Sequence, residues 1–141
     1  MTARYGISDY PLAETAPDEI RGQRGKTIAD ITLEGVLSGE VTMADLRITP
    51  SALRAQADIA RDAKRPTLGQ NFERAAELVG VPQEEVMRVY ELLRPGRART
   101  RADLLAAATQ LREEFGAPRM ADFIEEAAGI YEARGLFSKR Y

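Results

Sequence analysis

From Ile31 onward, apolar side chains return every three or four positions, the spacing of helices with one buried face. Thr49 and Pro50 make a good N-cap and first-turn pair. The helix they open carries Leu53, Gln56, Ala57, Ala60 and Ala63 on one side and should end before Pro66. A second helix is predicted from about Leu68 to Val79, with Phe72, Ala75, Ala76 and Val79 in phase and Gly80 as its stop. Pro82 suits a first turn, and Val86, Val89, Tyr90 and Leu93 form the next stripe before Pro95 and Gly96 end it. Thr100 with Asp103 is a plausible cap for Leu104, Leu105, Ala108, Leu111 and Phe115, closed by Gly116. A last helix, from about Met120 to Arg134, carries Phe123, Ile124, Ala127, Ala128 and Tyr131. Shorter pieces precede these: one capped by Asp30 or Thr32 and stopped by Gly39, and one turn opened by Thr42 with Asp45.

Residues 1–30 show neither a helical nor a strand period. Tyr5, Tyr10, Pro11, Leu12, Pro17 and Ile20 are scattered among polar residues. Thirty residues without regular structure are unusual inside a compact domain. Their apolar groups must fold back or dock elsewhere; an extended arm lying on a partner is the expectation, and a partly mobile tail the alternative. No run of alternating β-branched residues supports a strand. The fold class is therefore all-α: a small helical bundle with a long irregular N-terminal arm, 1–30 forming the arm and 31–141 the helical part of a single domain.

Composition narrows the chemistry. With 141 residues, 44% of them hydrophobic and 30% charged, the chain can build a core and stay in water. It contains no Cys and no His, which removes thiolate sites, disulfides and the usual general acid/base and metal ligand. A formal charge of -2 gives no general attraction to nucleic acid or anionic lipid. No stretch approaches the ~20 apolar residues of a membrane span, and nothing at the N-terminus resembles a signal peptide. A cytoplasmic location is the default.

Three motifs invite a functional reading and are better read otherwise. Gly22-Gln23-Arg24-Gly25-Lys26-Thr27 resembles the end of a phosphate loop, but Ile20 stands where that loop needs its first Gly, and no strand precedes it. A simple turn is preferred. Arg94, Arg97, Arg99 and Arg101 concentrate positive charge between two helices, as a solvated loop or a salt-bridged interface. The pairs Glu84/Glu85, Glu113/Glu114 and Glu125/Glu126 cannot chelate as neighbours, because adjacent helical residues diverge. No catalytic, cofactor-binding or metal-binding residue is expected on this chain.

A series of words in order resembles the small subunit of adenosylcobalamin (coenzyme B12)-dependent diol dehydratase and glycerol dehydratase. It begins at Asp9-Tyr10-Pro11-Leu12-Ala13 and is strongest over Asp30-Ile31-Thr32-Leu33-Glu34 and Val36-Leu37-Ser38-Gly39-Glu40-Val41. It continues through Asn71-Phe72, Arg74-Ala75-Ala76-Glu77-Leu78 and Leu93-Arg94-Pro95, to Phe123, Tyr131 and Arg134. The resemblance implies a dimer of heterotrimers. In such an assembly a TIM-barrel large subunit holds the substrate and a metal ion, and adenosylcobalamin lies between the large and medium subunits. A radical reaction converts a 1,2-diol or glycerol to an aldehyde and water. The small subunit would carry no catalytic group and would lie against the large subunit. Only eight residues precede Asp9, so no microcompartment-targeting extension is expected, although such a location stays open. The expected subunit contacts are Tyr10, Pro11 and Leu12 of the arm, then Ile31, Leu33 and the Arg94-Pro95 turn. A stand-alone helical adaptor or regulatory protein is the alternative.

Overall fold

The computed structural model describes residues 4–137. The described residues form helices and turns, with one isolated antiparallel bridge between Arg21 and Thr27 and no named strand. The chain divides into two compact units, Met1–Val79 and Gly80–Tyr141.

The first unit is built on an antiparallel helix pair, α4 (Pro50–Asp62) and α5 (Pro66–Leu78), preceded by three short helices: α1 (Leu12–Thr15), α2 (Leu33–Ser38) and α3 (Met43–Leu46). Thr49 caps α4 by accepting from the Ala52 amide at 3.2 Å. The α4–α5 turn is tight: the Arg65 amide donates to the Ala60 carbonyl at 2.8 Å, and Lys64 takes a left-handed φ of 61°. The two helices approach closely where α5 offers Gly69. A Cβ there would sit 3.1 Å from the Ala57 carbonyl oxygen and 3.0 Å from Arg61 Cγ. Arg61 adds ion pairs to Asp58 and, across the helix pair, to Glu73.

The expected arm is laid along this chain's own α4. Two 3-10 turns, Ile7–Asp9 and Pro17–Glu19, flank α1. Each is closed by local i→i+3 bonds, too short to leave a period in the sequence. Leu12 is 3% exposed and packs with Ala55 and Ile59 of α4; Tyr5, Ala16 and Ile20 surround it. Carboxylates of α4 take backbone donors from the segment: Asp58 from the Arg4 amide at 3.1 Å and Asp62 from the Ile7 amide at 2.8 Å. Helix α4 is therefore covered on two sides, which explains why Ala55 and Ile59, outside the single stripe read from the sequence, are buried.

The second unit comprises α6 (Gln83–Leu93), α7 (Arg101–Glu113) and α8 (Pro118–Ala133). Leu104, Ala107, Ala108 and Leu111 of α7 are buried with Ala121, Ile124 and Ala128 of α8. Gly116, with φ 61°, permits the turn between these helices. Arg112 forks across the pair, donating to Glu125 and Asp122 at 2.7 Å each. Thr100 and Asp103 form the expected capping box on α7. The Asp103 carboxylate accepts from the amides of Thr100 and Arg99, both at 2.9 Å, and these bonds hold its carboxyl below the ordinary Asp value.

Two outcomes follow. Leu12→Ala should lower the unfolding free energy by about 2–5 kcal/mol in urea titrations, as expected for a truncated core leucine. Because the folded pKa of Asp103 is lowered, its ionised cap stabilises fully above the unfolded value of 3.8 and loses that contribution as pH falls below it. The stability difference between the wild-type chain and Asp103→Asn should therefore be largest at neutral pH and shrink below about pH 4.

Candidate functional site: an outward apolar face

Among the described residues, seven of the fourteen exposed large apolar side chains fall between Ile28 and Ile48. That concentration makes this stretch the first candidate for a binding surface. Its centre is α2. Thr32 caps the helix, accepting from the Gly35 amide at 3.0 Å, and Gly39 ends it with a φ of 79°. Asp30, the other cap read from the sequence, instead closes the preceding 3-10 turn by accepting from the Thr27 amide at 2.8 Å. Those bonds to Thr27 also keep its carboxyl below the ordinary Asp value.

Helix α2 turns its large side chains outward. Its one buried residue is Gly35. At about 100° per residue, Leu33, Val36 and Leu37 cluster roughly opposite that glycine. Leu33 is 68% exposed, Leu37 78% and Val36 51%. The glycine lets the helix backbone lie against Val41: a Cβ at position 35 would come 2.8 Å from Val41 Cγ2. Met43, Leu46 and Ile48 continue the apolar exposure through α3 and beyond.

A buried charge locks the underside of this region. The Asp45 side chain is fully buried, yet its Oδ2 accepts from the Thr42 amide at 2.9 Å and its Oδ1 lies 3.3 Å from Arg24 Nε. Arg24 also donates to the Glu40 carbonyl at 3.0 Å and to the Thr42 hydroxyl at 3.2 Å. Lys26 lies 3.6 Å from Glu40. The stretch that resembled a phosphate loop is thus a structural turn. The Gly22 amide donates to the Lys26 carbonyl at 2.9 Å, and the Arg24 and Lys26 cations are engaged by Asp45 of α3 and by Glu40 and Thr42 before it. Gly22 is obligatory, since a Cβ there would stand 2.5 Å from the Asp45 carbonyl oxygen.

The expected contact residues are scattered over different surfaces. Leu33 sits in the centre of the α2 face, while Ile31 is half-buried beside a cleft of about 340 Å³. Tyr10, 62% exposed, lines a separate groove of about 510 Å³ with Ile7, Leu68 and Phe72. Pro11 is half-buried. Leu12 belongs to the core, so it is no docking residue: the segment that carries it packs on α4. Arg94 and Pro95 are exposed in the second unit, with Arg94 3.1 Å from Glu91 and Arg97 3.9 Å from the same carboxylate. There Leu93, Phe123, Ala127 and Ile130 line a further apolar groove, where the Tyr131 hydroxyl donates to the Leu93 carbonyl. Of the acidic pairs, Glu85 is held by Arg88 at 2.8 Å and Glu125 by Arg112. Among the described residues, no three acidic groups gather where they could hold a metal ion, and no helix is long and apolar enough to cross a membrane.

Residues 5–138 match the family model described as dehydratase small subunit. The chain belongs to the dehydratase small-subunit family. Within reach of this family, it is 49% identical over 128 residues to the propanediol dehydratase small subunit of Salmonella typhimurium (strain LT2), covering 91% of this chain and 73% of that one. It is 47% identical over 128 residues to the propanediol dehydratase small subunit of Citrobacter freundii, covering 91% and 74%. Val36, Leu37, Met43, Leu46 and Ile48 were not among the contacts expected from the sequence. The legible signal was a capped six-residue helix whose only residue opposite its leucines is glycine.

Gly22→Ala should reduce stability by about 1–3 kcal/mol, the usual cost of overpacking. Gly80→Ala, where an added Cβ meets nothing within 4 Å, serves as the comparison in the same denaturation experiment.

Proposed function

We propose that this chain is the non-catalytic small subunit of an adenosylcobalamin-dependent diol or glycerol dehydratase, and that it stabilises the complex by contact with the TIM-barrel large subunit. The observation that carries the reading is the outward face of α2, on a chain matched along most of its length by the dehydratase small-subunit family. Leu33, Val36 and Leu37 are more than half exposed on a six-residue helix, which supports a role for this face in contact with another chain. The relatives' name supports propane-1,2-diol as a substrate of the assembly, and glycerol is the second candidate. Cobalamin and a metal ion would be held by the large and medium subunits, in a dimer of heterotrimers. Tyr10, Pro11, Ile31, Leu33 and the Arg94-Pro95 turn remain the contacts proposed from sequence, now joined by Val36, Leu37 and Met43.

Co-expression with large and medium dehydratase subunits tests this directly. The three chains should purify together and form aldehyde from propane-1,2-diol or glycerol only when adenosylcobalamin is added. Equal activity and equal complex stability without this chain would overturn the reading. So would aldehyde formation by this chain alone.

A further inference from the structure

We infer that residues 21–48 form a clasped lobe that orders and opens as a whole while the α4–α5 pair stays closed, with the Arg24–Asp45 ion pair as its clasp. Among the described residues, every hydrogen bond and ion pair of this stretch closes within it. The start of the lobe meets its end. A Cβ at Gly22 would stand 2.5 Å from the Asp45 carbonyl oxygen. Arg24 donates to the Glu40 carbonyl and the Thr42 hydroxyl, and its Nε lies 3.3 Å from Asp45 Oδ1. Within the lobe, the Val41 amide donates to the Gly35 carbonyl at 2.9 Å. Neither α2 nor α3 packs broadly on another named helix. A cleft of about 340 Å³ separates the lobe from its surroundings, lined by Ile31, Leu46 and Ile48 of the lobe and by Ile20 and Ala52 outside it.

The α4–α5 pair and the N-terminal segment are held by a different set of interactions. Leu12 packs on Ala55 and Ile59, Asp58 and Asp62 take backbone donors, and Arg61 joins Asp58 to Glu73. Regions that share few bonds and little packing open with different free energies. Opening the lobe breaks its own bonds and parts a loosely packed apolar seam, so the helix pair is left intact. The lobe opens in one piece because the Asp45 side chain is fully buried. Displacing the turn that carries Arg24 leaves that carboxylate without its cation, and an unpaired buried charge is strongly unfavourable. The leucines of α2 therefore ride on an element whose order the clasp sets, and that order changes without unfolding α4 or α5.

The test is amide hydrogen exchange of the full chain, resolved by residue with NMR, comparing wild type with Asp45→Asn, Arg24→Gln and Leu12→Val. The amides of Gly22, Val36 and Val41 report on the lobe, since each donates to a carbonyl inside it. Those of Ala57 and Ala76, in buried positions of α4 and α5, report on the helix pair. In wild type the lobe amides should exchange faster than the helix-pair amides, yet slower than those of an unstructured peptide. Asp45→Asn should speed all three lobe amides together by about ten- to a hundredfold, the loss expected for a hydrogen bond to a charged group. Arg24→Gln should act on the same three, and Ala57 and Ala76 should keep their wild-type rates in both variants. Leu12→Val should do the reverse, speeding Ala57 and Ala76 by about two- to tenfold, as for the loss of one buried methylene, with the lobe unchanged. Equal acceleration of both groups by either clasp variant, or unfolding of the helix pair along with the lobe in Asp45→Asn, would mark a single cooperative unit and overturn the inference. Acceleration confined to one of the three lobe amides would overturn the clasp, and so would wild-type exchange in both clasp variants. Lobe amides that already exchange at the unstructured rate in wild type would overturn the closed lobe itself.

Discussion

Both units rest on helices that approach each other across alanine. Ten of the nineteen buried apolar residues among those described are Ala, including Ala57 and Ala60 on α4, Ala107 and Ala108 on α7, and Ala121 and Ala128 on α8. Small side chains let helix axes come close, so backbone and Cβ atoms supply much of the contact. Gly69 carries this to its limit, standing within van der Waals reach of the Ala57 carbonyl. Each such residue buries little area, so the few large buried side chains, Leu12, Leu104, Leu111 and Ile124 among them, carry a disproportionate share of the hydrophobic stabilisation.

This economy of the interior explains the exterior. With alanine filling the helix seams, Leu33, Val36, Leu37 and Met43 have no internal place and stand in solvent. A monomeric protein rarely keeps so many large apolar residues together outside. Subunits of obligate complexes commonly carry such surface. The local fold of this region is correspondingly held by polar means: two capping interactions, a buried carboxylate, and an arginine that reaches Glu40, Thr42 and Asp45. The apolar groups of this region therefore contribute little to its local fold.

Much of the helical architecture was readable. Thr49-Pro50, Thr100 with Asp103, Gly39 and Gly116 are local signals whose physics operates within one turn, and they mark helix ends where expected. The N-terminal thirty residues were not, because 3-10 turns held by i→i+3 bonds have no extended period to read. The stripe on α4 was likewise read as one-sided. Nothing in the spacing of Ala55 and Ile59 announces that Leu12, more than forty positions earlier, will cover them. For the candidate site, Leu33 was legible from the family resemblance. The rest of its face was not, since a leucine stripe reads equally well as core.

The order of residues along the chain therefore settled the longer helices, the lack of His and Cys, and the family, all of which depend on local spacing or on the identity of side chains. Tertiary structure decided which apolar residues are inside. Burial depends on what lies opposite, and hydrophobic character alone does not specify a side. Gly35 turned inward, and the leucines of α2 outward, where the Val41 side chain leaves no room for a Cβ at position 35.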